Sequence, residues 1–150
     1  MSDYSISNEA PAVCGWYISY LYRRSSTQLS TWLKDIGLSP TQSIMLVGIY
    51  RNTGVNQQTL CDLISVLPSV ASRALRELED KGYITKERDE QNRRNYNLYL
   101  TPKGRELAEE SLMTQERYWN DLLSKFTPEE ISTLNQLLAK MGLQAHGIGQ

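Results

Sequence analysis

Apolar residues recur at helical spacing through the first third of the chain. From residue 11 to residue 36 they follow the three-and-four spacing of an amphipathic helix, and Gly37 then supplies a typical helix stop. Ser39 followed by Pro40 is an N-cap and first-turn pair that begins a second helix, which a polar Asn-Thr-Gly run ends. The pattern predicts a long first helix and a shorter, mostly buried second one.

Two short helices are predicted next, with a tight turn between them. Asn56 can cap a helix over residues 57–64, and Pro68 begins another over residues 68–81 that Gly82 ends. Apolar residues occupy one face of the second of these helices. Two short helices joined in this way are typical of a helix-turn-helix.

After Gly82 the apolar period changes from helical to two. Residues 83–88 are β-prone, residues 89–92 are turn-forming, and Tyr96, Leu98 and Leu100 alternate with their neighbours, which predicts a β-hairpin with one buried face. Thr-Pro pairs then begin two closing helices, over residues 102–125 and 128–143. The expected fold is mainly α with a small β-wing (α+β), a winged helix-turn-helix flanked by long helices.

Composition and motifs argue against a membrane protein, a secreted protein and an enzyme. Of the 150 residues, 40% are hydrophobic and 22% are charged, and the net charge is -1. Apolar runs are too short to span a bilayer and the first residues show no secretory signal, so we expect no membrane contact and a cytoplasmic location. We find no acid–base constellation, phosphate-binding glycine loop or metal-ligand set, so we expect neither an enzyme nor a bound cofactor or metal.

Charge is uneven along the chain. Residues 73–105 hold nine Lys or Arg against six Asp or Glu, whereas residues 106–150 hold three against seven. The positive excess falls on the second short helix and the hairpin. These are the elements by which a winged helix contacts a major groove and the adjacent backbone or minor groove, so the expected partner is double-stranded DNA.

Candidate DNA-contacting side chains lie on the polar face of that second short helix and at the hairpin tip. Arginine suits the two acceptors of guanine or a phosphate, and serine suits a base or the backbone. Ion pairing of the helix arginines with Glu77, Glu79 or Asp80 is the alternative. The candidates are Ser69, Ser72, Arg73 and Arg76 on the helix, and Arg93 and Arg94 at the tip.

Five short segments between residues 60 and 104 form one pattern, and the resemblance that it supports extends over nearly the whole chain. They are LCDLISV at 60–66, SR at 72–73, LEDKGYI at 78–84, RR at 93–94 and LTPKG at 100–104. In this combination, with long helices on both sides, the chain resembles the MarR family of bacterial and archaeal transcription regulators.

The resemblance implies an organisation as well as a function. Residues 1–150 would form a single MarR-like domain, with dimerisation helices over 11–36 and 102–143 and a winged helix-turn-helix DNA-binding lobe over 38–101. Regulators of this type act as homodimers on a pseudo-palindromic operator and usually repress. Many release DNA when a small phenolic or other amphipathic ligand binds between the two lobes.

Two positions depart from the family pattern. Asn92 stands where the wing usually has an Asp, so a neutral amide replaces an Asp–Arg pair at the tip. Val70 lies near the start of the recognition helix, where the family is more polar. A valine can pack on a thymine methyl group but cannot donate a hydrogen bond to a base. We therefore expect the wing geometry and the sequence preference to differ from those of relatives.

The first helix is unusually aromatic, and Tyr118 and Trp119 repeat this feature in the fifth. A dimer core is one interpretation. The alternative is a pocket where the first, second and fifth helices meet the winged helix, with aromatic walls for a planar ligand and Arg23 or Arg24 for its carboxylate. The predicted ligand-binding residues are Trp16, Tyr20 and Arg24.

The two cysteines have different expected roles. Cys61 lies under the turn of the helix-turn-helix, where a core thiol is expected. Cys14 lies near the start of the first helix, where the helix dipole stabilises a thiolate, and hydroperoxide-sensing members of the family carry their reactive cysteine in a similar place. Cys14 is therefore either a redox sensor or an interface cysteine. His146, in a glycine-rich tail, is expected to be inert.

Two functional alternatives stay open beside a ligand-released repressor. One is an oxidant-sensing repressor that uses Cys14. The other is a winged helix that serves as a protein-interaction module, because the fold alone does not establish DNA contact.

Overall fold

The computed structural model describes residues 11–89 and 95–147, apart from the side chains of Pro11 and His146. Arg93, Arg94 and Asn92 lie outside the described residues, and so does the side chain assigned an inert role at His146. The elements are α1 Pro11–Asp35, α2 Pro40–Arg51, β1 Val55–Asn56, α3 Gln57–Ile64, α4 Pro68–Asp80, β2 Ile84–Arg88, β3 Tyr96–Leu100, α5 Pro102–Leu122 and α6 Pro128–Gly147. The mainly α fold with a small β-wing is confirmed. None of the helices in the described ranges combines the length and apolarity needed to cross a bilayer.

The chain divides into two compact units, Met1–Gln115 and Glu116–Gln150. The core of the first unit surrounds α2, which packs against α1, α3, α4 and β3. Met45, Leu46 and Ile49 of α2 are almost completely buried. The prediction of a mostly buried second helix is thus confirmed. Because α2 packs against α4, it also holds α4 in place against the core.

Helix starts follow the predicted capping chemistry. The Ser39 hydroxyl accepts a hydrogen bond from the Gln42 backbone N–H, and the Gln42 side chain accepts one from the Ser39 N–H, which completes a capping box. Asn56 caps α3 through the Thr59 N–H. These bonds satisfy donors that a helix start leaves without intrahelical partners.

The sheet has one strand more than the hairpin predicted. Its order is β1-β3-β2, and the short strand β1 pairs Val55 with Leu98. A strand of two residues is too short to show a period of two, so the pattern could not reveal it. Of the predicted buried face, Leu98 is buried and Leu100 half-buried, but Tyr96 is exposed because it lies at the far end of β3 beside Arg88.

The LTPKG segment joins the wing to α5 by a close backbone contact. The Thr101 hydroxyl shares its one hydrogen between the carbonyls of Gly82 and Tyr83 and accepts from the Gly104 N–H. A Cβ atom at Gly104 would lie 1.8 Å from the Tyr83 carbonyl oxygen. Position 104 therefore requires glycine for space.

The second unit consists of the end of α5, a short turn and α6. Thr127 caps α6, and the Glu130 side chain accepts a hydrogen bond from the Thr127 N–H. The Glu129 carboxylate accepts a backbone hydrogen bond there, which lowers its pKa. The last helix is predicted over residues 128–143, but α6 continues to Gly147, since Leu143, Gln144 and Ala145 after Gly142 favour helix.

Candidate nucleic-acid interface

Helix α4 presents one buried face and one exposed polar face. Ala71, Leu75 and Leu78 are buried in the core. The four predicted helix candidates, Ser69, Ser72, Arg73 and Arg76, are all exposed at the three-and-four spacing of one helix face. Sequence and structure therefore agree on which side of α4 is available to a partner.

The start of α4 is apolar and open. Leu67 is the N-cap and offers no side-chain hydrogen bond to the first turn. Leu67 is 70% exposed and Val70 is 45% exposed. The departure noted at Val70 thus lies on the surface, where a methyl group can reach a partner, and first-turn N–H groups of α4 are left for an outside acceptor.

Ser72 is held in place from both sides. Its hydroxyl donates to the Pro68 carbonyl at 2.8 Å and accepts from Nε2 of Gln57 at 2.7 Å. Since a hydroxyl has one donor and two lone pairs, Ser72 retains one lone pair for a partner. It can therefore accept a hydrogen bond from a base amino group but cannot donate one to a phosphate without breaking the bond to Pro68.

Arg73 makes the ion pair that was the alternative to DNA contact. Its Nε–H donates to Oε1 of Glu77 at 3.1 Å, while 86% of the arginine side chain is exposed. Nε is only one of the donor groups of a guanidinium, so both terminal Nη groups of Arg73 stay available. The pair with Glu77 therefore does not exclude a role in DNA contact. Arg76 forms no ion pair within the described ranges.

The wing is linked to α4 by a single ion pair in the part of the chain that the structure describes. Nζ of Lys86, in β2, donates to Oε2 of Glu79 at 2.6 Å. The two strands run antiparallel from Ile84 opposite Leu100 to Arg88 opposite Tyr96. Arg93 and Arg94 belong to the connection between these two strands, outside the described residues.

Arg88 is a basic residue of the wing that the sequence did not single out. It is exposed, its guanidinium lies 5.8 Å from the centre of the Tyr96 ring, and it donates to the Tyr96 hydroxyl. This hydrogen bond raises the pKa of Arg88, which stays fully charged. The sequence feature that could have indicated Arg88 is its position within the basic segment, residues 73–105. Gln57, which orients Ser72, was also missed.

A cavity of about 600 Å³ lies between α3, the end of α4 and the wing. Asn56, Gln57 and Gln58 line it from the start of α3, and Glu79 and Lys86 from the ion pair above. It is open, and Tyr96 and Leu98 add apolar surface to these polar side chains. The groove separates the wing from the helix-turn-helix and is too open to surround a small ligand.

The predicted ligand residues lie together on α1. The rings of Trp16 and Tyr20 stack in parallel with centres 5.4 Å apart, and Trp16, Tyr20 and Arg24 are all exposed. They line neither the cavity beside the wing nor a smaller one of about 300 Å³ near Gly37 and Pro40. In a single chain these residues therefore form an open surface.

The two cysteines differ as expected in burial. Cys61 is buried in the core, and this burial, with the charge of Asp62 as a second cause, raises the pKa of its thiol. The expected core role of Cys61 is confirmed. Cys14 is exposed in the first turn of α1, so an oxidant can reach it in a single chain.

Comparison with known proteins decides the family. A family model described as the MarR family matches residues 36–95, which include the helix-turn-helix and the beginning of the wing. The HTH-type transcriptional regulator YybA of Bacillus subtilis, itself uncharacterised, is 37% identical over 108 residues, covering 72% of each chain. The chain belongs to the MarR family.

Solved structures of MarR-family proteins share the fold. A MarR transcriptional regulator from Methanosarcina mazei superposes with a TM-score of 0.81 at 30% identity, covering 89% of this chain and 99% of its own. A MarR-family regulator from Listeria monocytogenes, complexed with a 26mer DNA, gives a TM-score of 0.82 at 30% identity and covers 87% of each chain. As a MarR-family member the protein is a DNA-binding transcriptional regulator and not an enzyme.

Proposed function

We propose that this MarR-family protein is a homodimeric, sequence-specific repressor that binds a pseudo-palindromic operator and releases it when a small amphipathic or phenolic ligand binds. The observation that carries the proposal is the exposed face of α4 with Ser69, Ser72, Arg73 and Arg76, placed beside a basic wing. The Listeria relative bound to a 26mer DNA supports the same role for this face.

We assign different DNA contacts to α4 and to the wing. The α4 arginines and serines enter a major groove and read base edges, while Arg93 and Arg94 on the wing contact phosphates or the minor groove. In a dimer on successive major grooves, the two α4 helices would lie about 34 Å apart. A regulator of this kind acts where the chromosome is, so we place the protein in the cytoplasm.

The proposal of a homodimer rests on apolar surface in both units. In the first unit, α1 exposes Tyr17, Ile18 and Leu21 beside the predicted ligand residues. In the second, α6 exposes Leu137, Leu138 and Met141. Contiguous apolar side chains of this size mark a surface that a partner covers. We assign residues 11–36 and 102–143 to pairing with a second copy and residues 38–101 to DNA, within one MarR-like domain over residues 1–150.

A transcriptional reporter tests repression. The region upstream of the protein's own gene is fused to a reporter and measured in cells with and without the intact gene. A repressor predicts higher reporter output without the gene, and output that phenolic compounds raise only in its presence. Lower output without the gene would contradict repression and indicate an activator.

Cys14 supports a second candidate trigger, because it is exposed and lies in the first turn of α1. If peroxide is the signal, Cys14→Ser binds operator DNA normally but no longer releases it on peroxide treatment. Release that is unchanged in Cys14→Ser would remove the thiol mechanism and leave the aromatic surface of Trp16 and Tyr20, with Arg24, as the ligand site.

A further inference from the structure

A chain of hydrogen bonds connects the buried helix α2 to the exposed face of α4. Nε2 of Gln42 donates to Oε2 of Glu77 at 2.7 Å, and Nε of Arg73 donates to Oε1 of the same carboxylate at 3.1 Å. Gln42 is only 5% exposed. One carboxylate thus joins a buried amide to an exposed arginine of the candidate interface.

The orientation of the Gln42 amide is fixed by its other partner. Its Oε1 accepts from the Ser39 N–H at 3.0 Å as part of the capping box of α2. Turning the amide over would place its NH₂ against the Ser39 N–H and its oxygen against the Glu77 carboxylate, and both contacts would be repulsive. The amide therefore presents a donor to Glu77 permanently.

Glu77 in turn determines which edge of the Arg73 guanidinium stays open to a partner. Because the carboxylate occupies Nε, the two Nη groups are left on the opposite edge of the planar fork. Two parallel N–H donors are the arrangement that matches the O6 and N7 acceptors of guanine. An arginine without this restraint would lose rotamer freedom when it bound a base, and that loss of entropy would weaken binding.

We propose that Gln42 and Glu77 are specificity-determining positioning residues, which hold Arg73 so that its Nη groups read a guanine in the operator. The inference rests on the proposed function, since it requires that Arg73 contacts a base. Gln42 itself touches no DNA. It acts through Glu77, from a position fixed by the cap of α2.

Two substitutions at Gln42 test the chain of bonds. Gln42→Glu keeps an oxygen for the Ser39 N–H but sets a carboxylate against Glu77, and Gln42→Met removes the amide without adding charge. The measured quantity is the ratio of affinities for operator and scrambled duplexes. We expect both variants to lower that ratio by about three- to tenfold, which is the lower part of the range for side chains coupled in one network.

A third variant avoids the buried position. Glu77→Gln replaces one carboxylate oxygen by NH₂, so it can keep the bond to Gln42 or the bond to Arg73 but not both. Because 44% of the Glu77 side chain is exposed, this variant is expected to fold even if those at Gln42 do not. Gln136→Glu, at an exposed position of α6, is the matched control for the negative charge that Gln42→Glu adds, and it should leave the ratio unchanged.

Coupling to Arg73 distinguishes positioning from a general effect on structure. In an Arg73→Ala background, the substitutions at Gln42 and Glu77 should leave the affinity ratio unchanged. A ratio that falls equally in both backgrounds, or that never falls while Arg73→Ala alone lowers it, would overturn the positioning role. Equal binding of the unmodified protein to the two duplexes would instead overturn the proposed function, and the inference with it.

Discussion

Arg73 is the residue at which base reading is expected to be most direct. Its side chain is exposed, and its Nε–H rather than an Nη group makes the bond to Glu77 found among residues 11–89 and 95–147. Loss of one bidentate contact costs about 1–3 kcal/mol, so Arg73→Ala should weaken operator binding about 5- to 150-fold. Binding to scrambled DNA should change much less, because only base-specific contacts are lost. Equal losses on both duplexes would show that Arg73 contacts phosphate instead.

Arg94 is expected to behave differently, because the proposed role of the wing is to contact the DNA backbone or the minor groove. Arg94→Ala should weaken binding to operator and scrambled DNA by similar factors. It should also reduce the slope of log affinity against log salt by about one. Anisotropy titrations at several salt concentrations measure both effects. A loss confined to the operator would assign Arg94 to base reading.

Among the elements, the helices were predictable from the sequence, because local features mark where they begin and which face they bury. The starts of α2, α3 and α4 coincide with the predicted Ser39, Asn56 and Pro68 signals, because capping chemistry is local. The exposed face of α4 was predictable for the same reason, since helix geometry alone separates its two faces.

Features that depend on distant partners were not predictable. Strand β1 exists only because Val55 and Asn56 pair with β3, about 40 residues later in the chain. The Gln42–Glu77 bond joins residues 35 apart, and nothing near either residue indicates the other. Lys86 and Glu79 belong to different elements and likewise meet only in the folded unit.

The junction between wing and α5 provides a stability test at the scale of elements. Gly104→Ala places a methyl group against the Tyr83 carbonyl, and backbone cannot yield as a flexible side chain can. We expect the free energy of unfolding to fall by about 1–3 kcal/mol, as for overpacked sites. Urea denaturation measures the change.

Gly142→Ala is the matched control for that substitution. Gly142 lies within α6, and a Cβ atom there meets nothing within 4 Å. Alanine in a helix interior is favoured over glycine by about 0.8–1.0 kcal/mol, so this variant should be slightly more stable. A Gly104→Ala protein as stable as the unmodified one would contradict the close contact at Tyr83.

At the scale of the whole molecule, the exposed apolar side chains predict self-association. Sedimentation should give twice the 17.2 kDa mass of one chain. Leu138→Lys with Met141→Lys places two charges on the apolar face of α6 and should shift the equilibrium toward the monomer. Gln136→Lys, also exposed on α6, should leave the dimer intact. A monomeric unmodified protein would contradict the proposed dimer.

The central claim is that this protein recognises a DNA sequence. Fluorescence anisotropy with the duplex from upstream of its own gene, and with a scrambled duplex, tests it most directly when repeated over a salt series. We predict binding to the upstream duplex at least about 10³-fold tighter than to the scrambled one. Both affinities should fall steeply as salt rises. Weak binding of equal strength to the two duplexes would contradict the claim and favour a winged helix that contacts proteins instead.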